Sequence, residues 1–224
     1  MMNTNAEKQE IKQLRHIQQR LLKNIDYLDT RLQHYSHDIE EQKSYLWENR
    51  DEMDHIEKIA ARQSIEQAVF SGDKAHELKN KLHKLSQKPY FGRFDFHASQ
   101  ASKAEQVYIG IYDFYDDELQ QNLIYDWRAP IASMFYDFEL GQAKYDSPAG
   151  EVTGEIKLKR QFRIRSGELE FMLESAINIM DEVLQKELSR SSDEGMKNIV
   201  ATIQRDQNAV IRNEHAQTLI IQGV

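Results

Sequence analysis

The sequence predicts an α+β chain: a long antiparallel helical hairpin (a coiled coil), then a small, mostly antiparallel β domain, then further helices. Three observations carry this. Residues 1–88 contain no proline and one glycine, Gly72, and repeat apolar side chains every seven residues. Residues 90–174 replace that repeat with short aromatic and β-branched runs separated by turn residues. From residue 175 helical spacing returns, and the chain closes on Leu219-Ile220-Ile221-Gln222-Gly223, an apolar strand pattern running into glycine.

The hairpin is the longest element. Ile11, Ile25, Leu32, Ile39 and Leu46 form one row of the repeat, and Leu14, Leu21, Leu28 and Tyr35 the next. Gln18 and Gln42 are its polar exceptions. A seam sustained over five heptads indicates a coiled coil rather than a globular helix. A second helix, from about Met53 to Leu85, carries Ile56, Ala60, Phe70, Leu78, Leu82 and Leu85 as a weaker seam. Gln63 and Gln67 lie near that seam, and Gly72 is a soft point. At about 1.5 Å per residue such a hairpin runs roughly 50–60 Å. That is too long for a protein of 26.4 kDa to cover, so it is expected to project.

The turn between the helices falls near Trp47–Asp54, where Trp47-Glu48-Asn49-Arg50-Asp51-Glu52-Met53-Asp54 interrupts the seam. Residues 38–57 hold eight acidic and two basic side chains. Two readings are open. One is a solvated loop with carboxylates near the N-terminus of the second helix, where the helix dipole favours them. The other is a negative tip, Trp47, Asp51, Glu52 and Asp54, shaped to enter a basic or metal-containing cavity of a partner.

Pro89 ends the hairpin. The strand candidates are Tyr90–Phe96, Val107–Phe114, Asn122–Trp127, Ile131–Phe138, Gly154–Arg165 and Leu169–Leu173. The turn signals are Asp116-Asp117, Asp146-Ser147-Pro148-Ala149-Gly150 and Arg165-Ser166-Gly167. Together they predict a small sheet or partial barrel. On the fifth candidate, period two places Lys157, Lys159, Gln161, Arg163 and Arg165 on one face and Leu158, Phe162 and Ile164 on the other, with Arg160 out of step. That basic face is either solvated and paired with carboxylates, or a contact for nucleic acid or a protein. Asp126-Trp127-Arg128 reads as scaffold: a packed Trp, an Asp–Arg pair satisfying a tight turn, and Pro130 setting the exit.

Residues 175–189 return to helical spacing through Ile177, Met180, Val183, Leu184 and Leu188, and Ser191-Ser192-Asp193-Glu194 reads as a capping box. A helix, a polar loop and an apolar strand ending in glycine is how a phosphate-binding loop is approached from its N-terminal side. The Gly-Lys-Ser/Thr of that loop does not occur in the sequence. The expectation is the front part of a longer nucleotide-dependent protein.

Several segments resemble HelD, the UvrD-like superfamily-one helicase relative that acts on bacterial RNA polymerase. They are Lys88–Phe96, Glu105–Ile111, Ile124–Ile131 with its Tyr125-Asp126-Trp127-Arg128-Ala129-Pro130, Leu158–Phe162, and Ile199–Gln207. The resemblance covers roughly 88–224 by motif and 1–87 by architecture. It implies a projecting arm at 1–88, a β-rich scaffold at 89–174, and at 175–224 the helices and first strand of an incomplete RecA-like ATPase domain. Gln207 then matches the glutamine that reads adenine before the P-loop strand; one carboxamide donates to N7 and accepts from the exocyclic amine. The resemblance further implies ATP and Mg²⁺ in the full-length parent, with none expected on this chain. Its partners would be core RNA polymerase, with the hairpin in the secondary channel, and nucleic acid through other domains. The alternative it allows is an ATP-dependent 3′–5′ DNA helicase whose hairpin guides DNA.

Composition excludes several classes. With no cysteine there is no disulfide framework, cysteine nucleophile or thiolate metal site. His34 and His37 stand at i, i+3 without an evident third ligand. No leader-like apolar segment follows Met1 and no run of 18 apolar residues occurs, so a cytoplasmic monomer away from membranes is expected. The net charge of −8 argues against generic duplex binding, and residues 1–88 balance 15 basic against 15 acidic side chains. No self-contained catalytic constellation is found.

Overall fold

The computed structural model describes residues 5–174. The chain divides into two compact units, Met1–Pro89 and Tyr90–Val224. The readings at 175–224, including Gln207, the capping box at Ser191 and the strand at Leu219, lie outside the described residues.

In the first unit, helix α1 spans Asn5–Glu48 and helix α2 spans His55–Gln87. They run antiparallel. Gln18 Nε2 donates to Ser86 O at 3.4 Å, Lys79 pairs with Asp29, and Gly72 lies against Tyr35 Cβ, so partners descend along α2 as they ascend α1. Every predicted seam position of α1 is buried or half-buried, Leu14, Leu21, Ile25 and Leu28 most of all, and Ile17 and Glu10, which lie off the predicted rows, are buried with them. The seam of α2 differs from the expectation. Ile56, Phe70 and Leu78 are 76%, 62% and 48% exposed, and Ala60 is exposed too. Leu82 and Leu85 are buried as expected, and the other covered positions include Ala61, Ile65, Ala68, Gly72 and Ala75, spaced by threes and fours. The large side chains of α1 supply the volume, and small residues on α2 let the helices approach; sequence hydrophobicity had ranked bulk above fit.

The turn is built locally. Glu52 N and Met53 N donate to Asn49 O at 3.0 Å. Asp54 then opens α2: its Oδ1 accepts from Ile56 N and Glu57 N at 2.7 Å, and Glu57 Oε2 accepts from Asp54 N at 2.9 Å. This is a reciprocal capping box.

The second unit holds β1 Gly92–Ala98, β2 Glu105–Gly110, β3 Phe114–Asp116, β4 Gln121–Asp126, α3 Pro130–Asp137, β5 Gly141–Ser147, β6 Gly150–Arg165 and β7 Glu168–Glu174. Strand order is β3-β4-β2-β1-β6-β5, with β7 also on β6. All pairs are antiparallel except β2 with β4. Among the described residues the path of strands does not close on itself. The architecture is α+β.

Two elements depart from the period-two reading. Ile131–Phe138 is not a strand: Pro130 occupies the first turn of α3, where its fixed φ suits a helix and its missing N–H costs nothing. Ile131, Met134 and Phe135 then fall on one buried face at i, i+3, i+4. They meet Phe94, Phe96, Val107, Ile109 and Ile156 in the core. β1 approaches α3 so closely that a Cβ on Gly92 would sit 2.6 Å from the Phe135 ring. The second departure is in β6. Its pairing with β1 skips Lys157, because Asp95 pairs with Leu158 and Phe96 with Ile156. This bulge reverses which side chains share a face. Lys159 therefore joins Phe94, Phe96 and Ile156 on the core face, and Gln161 is buried as well.

Candidate functional site

At the turn, Trp47 is 75% exposed on the last turn of α1, with the Arg50 guanidinium 5.4 Å from its ring centre. Arg50 Nε also lies 3.6 Å from Asp51 Oδ1. Asp51 and Glu52 are exposed. The structure therefore brings Trp47, Asp51 and Glu52 together as an accessible aromatic and acidic surface. Asp54 belongs to a different role, since its carboxylate is committed to capping α2.

The Asp126-Trp127-Arg128 segment is a self-contained connector from β4 to α3. Asp126 Oδ1 accepts from Arg128 N and Nε at 2.8 Å, and Oδ2 accepts from Nη2 at 2.6 Å. These bonds hold the Asp126 carboxyl below its usual range and raise the guanidinium. Trp127 N donates to Gly110 O at 3.0 Å, and Ala129 N to Asp126 O at 2.9 Å. The aspartate is consumed in shaping the turn, as expected, whereas the Trp127 ring, expected to pack, is 37% exposed.

The basic residues of β6 are likewise spoken for. Lys157 pairs with Glu155, Arg160 with Glu174 and Arg163 with Glu170, while Arg165 lies 3.9 Å from Glu170. Lys159 is 3% exposed and donates to Phe135 O at 2.7 Å and Phe138 O at 2.6 Å, closing the C-terminal end of α3. Burial pulls its ammonium down to about 7, against the pull of Glu139 and Asp137. Of the two readings of this face, pairing with carboxylates describes Lys157, Arg163 and Arg165, while Lys159 is internal.

His37 Nε2 lies 3.4 Å from Glu41 Oε1, and no three metal-ligating side chains converge among the described residues. Charge counting missed one feature. Lys8, Lys12 and Arg15 form an exposed basic row on α1, hidden in the sequence because acidic residues elsewhere in the hairpin cancel them in the sum.

A family model described as DNA helicase IV HelD, N-terminal domain, matches residues 7–191, which takes in the hairpin and the whole described sheet. The chain belongs to the HelD N-terminal domain family. No curated protein matches it. The HelD-family match makes the chain helicase-related. Among the described residues no helix is long and apolar enough to cross a membrane.

Proposed function

We propose that this chain is the N-terminal region of a HelD-like ATPase whose hairpin enters the secondary channel of bacterial RNA polymerase and promotes release of nucleic acid and polymerase recycling. The observation that carries the reading is the turn of the hairpin. There Trp47, Asp51 and Glu52 stand exposed between two helices of 44 and 33 residues. Stiff helices transmit position, and a negative tip competes electrostatically in a cavity that holds catalytic Mg²⁺ and RNA. In this reading ATP and Mg²⁺ act in the catalytic domain of the parent, with Gln207 contributing to adenine recognition. Among the described residues, the positive-φ glycines Gly141, Gly150 and Gly167 all sit at strand turns, and none opens a helix as a phosphate cradle would.

The test is pull-down with core polymerase and a release assay on the Asp51→Lys, Glu52→Lys double variant. Asp54 is left intact because its loss would remove the cap of α2 and confuse stability with binding. Weaker polymerase capture with unchanged helicity supports the proposal; capture and release equal to the parent's overturn it. A second reading, a DNA-guiding hairpin in an ATP-dependent 3′–5′ helicase, draws on the family's description as DNA helicase IV. It predicts tighter binding to single-stranded DNA than to core polymerase at physiological salt.

A further inference from the structure

Charge on the hairpin is balanced in sum and divided in space. Gly72 meets Tyr35 near the middle of the paired helices. On the turn side of that level, residues 35–72 carry 9 acidic and 4 basic side chains. Residues 5–34 and 73–88, on the other side, carry 11 basic and 6 acidic. The first half is net −5 and the second net +5.

Within the basic half, one face of α1 stands out. Lys8, Lys12 and Arg15 follow one another at i, i+4 and i+7, on the side away from the buried Leu14, Ile17 and Leu21. All three are exposed, and with Ile11, His16 and Gln19 they line one shallow surface depression. None of the three has an ion pair or hydrogen bond to a described residue. The two nearby carboxylates, Glu10 at 1% exposed and Glu7 half-buried, are less accessible than the row itself. Some cations lower on the hairpin and on β6 do meet a carboxylate, among them Lys79, Lys81, Lys157, Arg160 and Arg163, so what sets the row apart is its three cations aligned on one exposed face.

We propose that this face of α1 binds the sugar–phosphate backbone of a single nucleic-acid strand, with consecutive phosphates on Lys8, Lys12 and Arg15. Side chains one turn apart lie about 5–6 Å from each other at Cβ. Phosphates likewise bring a full charge at every step of a strand, whereas carboxylates on a folded protein surface follow no fixed pitch. Lysine accepts phosphate as a point charge without demanding one geometry. Ile11 offers an apolar contact for sugar, and His16 and Gln19 offer hydrogen bonds to sugar or base edges. A duplex fits less well. It is stiff over about 50 nm, so laid along the helix it would also run beside the acidic half, whereas a single strand turns away. The proposal does not depend on the polymerase reading, since it concerns the opposite half of the hairpin.

Fluorescence anisotropy of a labelled oligothymidylate of about 15 nucleotides, titrated with the 224-residue chain at about 50 mM salt, tests it. Saturable binding is expected, with log K falling against log salt at a slope of about −2 for three phosphate contacts on a single strand. Lys8→Glu, Lys12→Glu, Arg15→Glu should lower affinity at least about tenfold with unchanged far-UV dichroism. The Gln triple variant should weaken binding in the same direction, and it decides the matter if charge reversal disturbs the helix. Asp51→Lys, Glu52→Lys should bind at least as well as the parent, which separates this face from the tip. No binding by the parent, equal binding by the Gln variant, or equally tight binding of a duplex of the same length overturns the proposal. So does displacement by polyglutamate as effective as by unlabelled oligonucleotide, which would mark a site for acidic protein instead.

Discussion

At position 54 one carboxylate contributes both to the acidity of the turn and to the start of α2. Its two short bonds to Ile56 N and Glu57 N are the kind whose loss costs about 1 kcal/mol. Asp54→Ala is expected to lower the hairpin's denaturation midpoint accordingly, while Asp54→Asn, which keeps an acceptor, loses much less. Urea unfolding followed by far-UV dichroism separates the two, and equal losses would mean that charge rather than capping matters there. Lys159 makes a second residue-scale prediction. Its folded pKa of about 7 lies below its ordinary 10.5, so between those values the unfolded chain holds more protons than the folded one. Its contribution to stability therefore rises as pH climbs from 7 toward 10.5. Lys159→Met should flatten that rise in the thermal midpoint of the β unit; a profile identical to the parent's would show that the amine is not buried as described.

Among the elements, the seam between α1 and α2 shows how fit outranks bulk. Gln42 lies on it between Ile39 and Leu46, and its carboxamide oxygen is buried without a hydrogen-bond partner. An unmet buried acceptor costs about 1–3 kcal/mol. Gln42→Leu is therefore expected to stabilise the hairpin by about 1 kcal/mol in urea unfolding. A loss of stability instead would show that the amide specifies the pairing register, a role polar seam residues perform in coiled coils. Overfilling the opposite side should do the reverse. Ala68→Leu places a large side chain where α2 is small, and overpacking of this kind costs about 1–3 kcal/mol. In the sheet, Gly92 plays the matching part, because the Phe135 ring fills the space that any side chain there would need. Gly92→Ala should destabilise the β unit, as seen by loss of its thermal midpoint with the hairpin's helicity preserved.

Over the whole molecule, charge is organised by region more than by amount. Among its described residues the β unit pairs cations with carboxylates strand by strand, through Arg160–Glu174 and Arg163–Glu170. The hairpin separates its charges along its length, which gives it one acidic and one basic half. Nucleotide makes the prediction at this scale. Mg-ATP at about 1 mM should leave the thermal midpoint of the chain unchanged, since a ligand stabilises only by binding the folded state. A dose-dependent rise would reveal an adenine site that works without a P-loop and would give Gln207 a role within this chain.

The heptad repeat of α1 was legible because a helix buried on one side must repeat its apolar residues, and nothing distant is needed to read that period. The turn at 49–54, the hairpin turns at Asp116, Ser147 and Gly167, and the change of character at Pro89 were legible for the same reason: each depends on residues adjacent in the chain. Tertiary structure decided the rest. The bulge at Lys157 turned a basic stripe into a buried lysine, a shift set by pairing with β1 that period two cannot register. Packing under β1 made Ile131–Phe138 a helix, and the partner helix decided which side of α2 is the seam. The shared exposure of Lys8, Lys12 and Arg15 beside a buried Glu10 is likewise tertiary, because a linear count of charge carries no direction. Local chemistry is written in neighbouring residues, whereas the facing and pairing of side chains depend on elements far away in sequence.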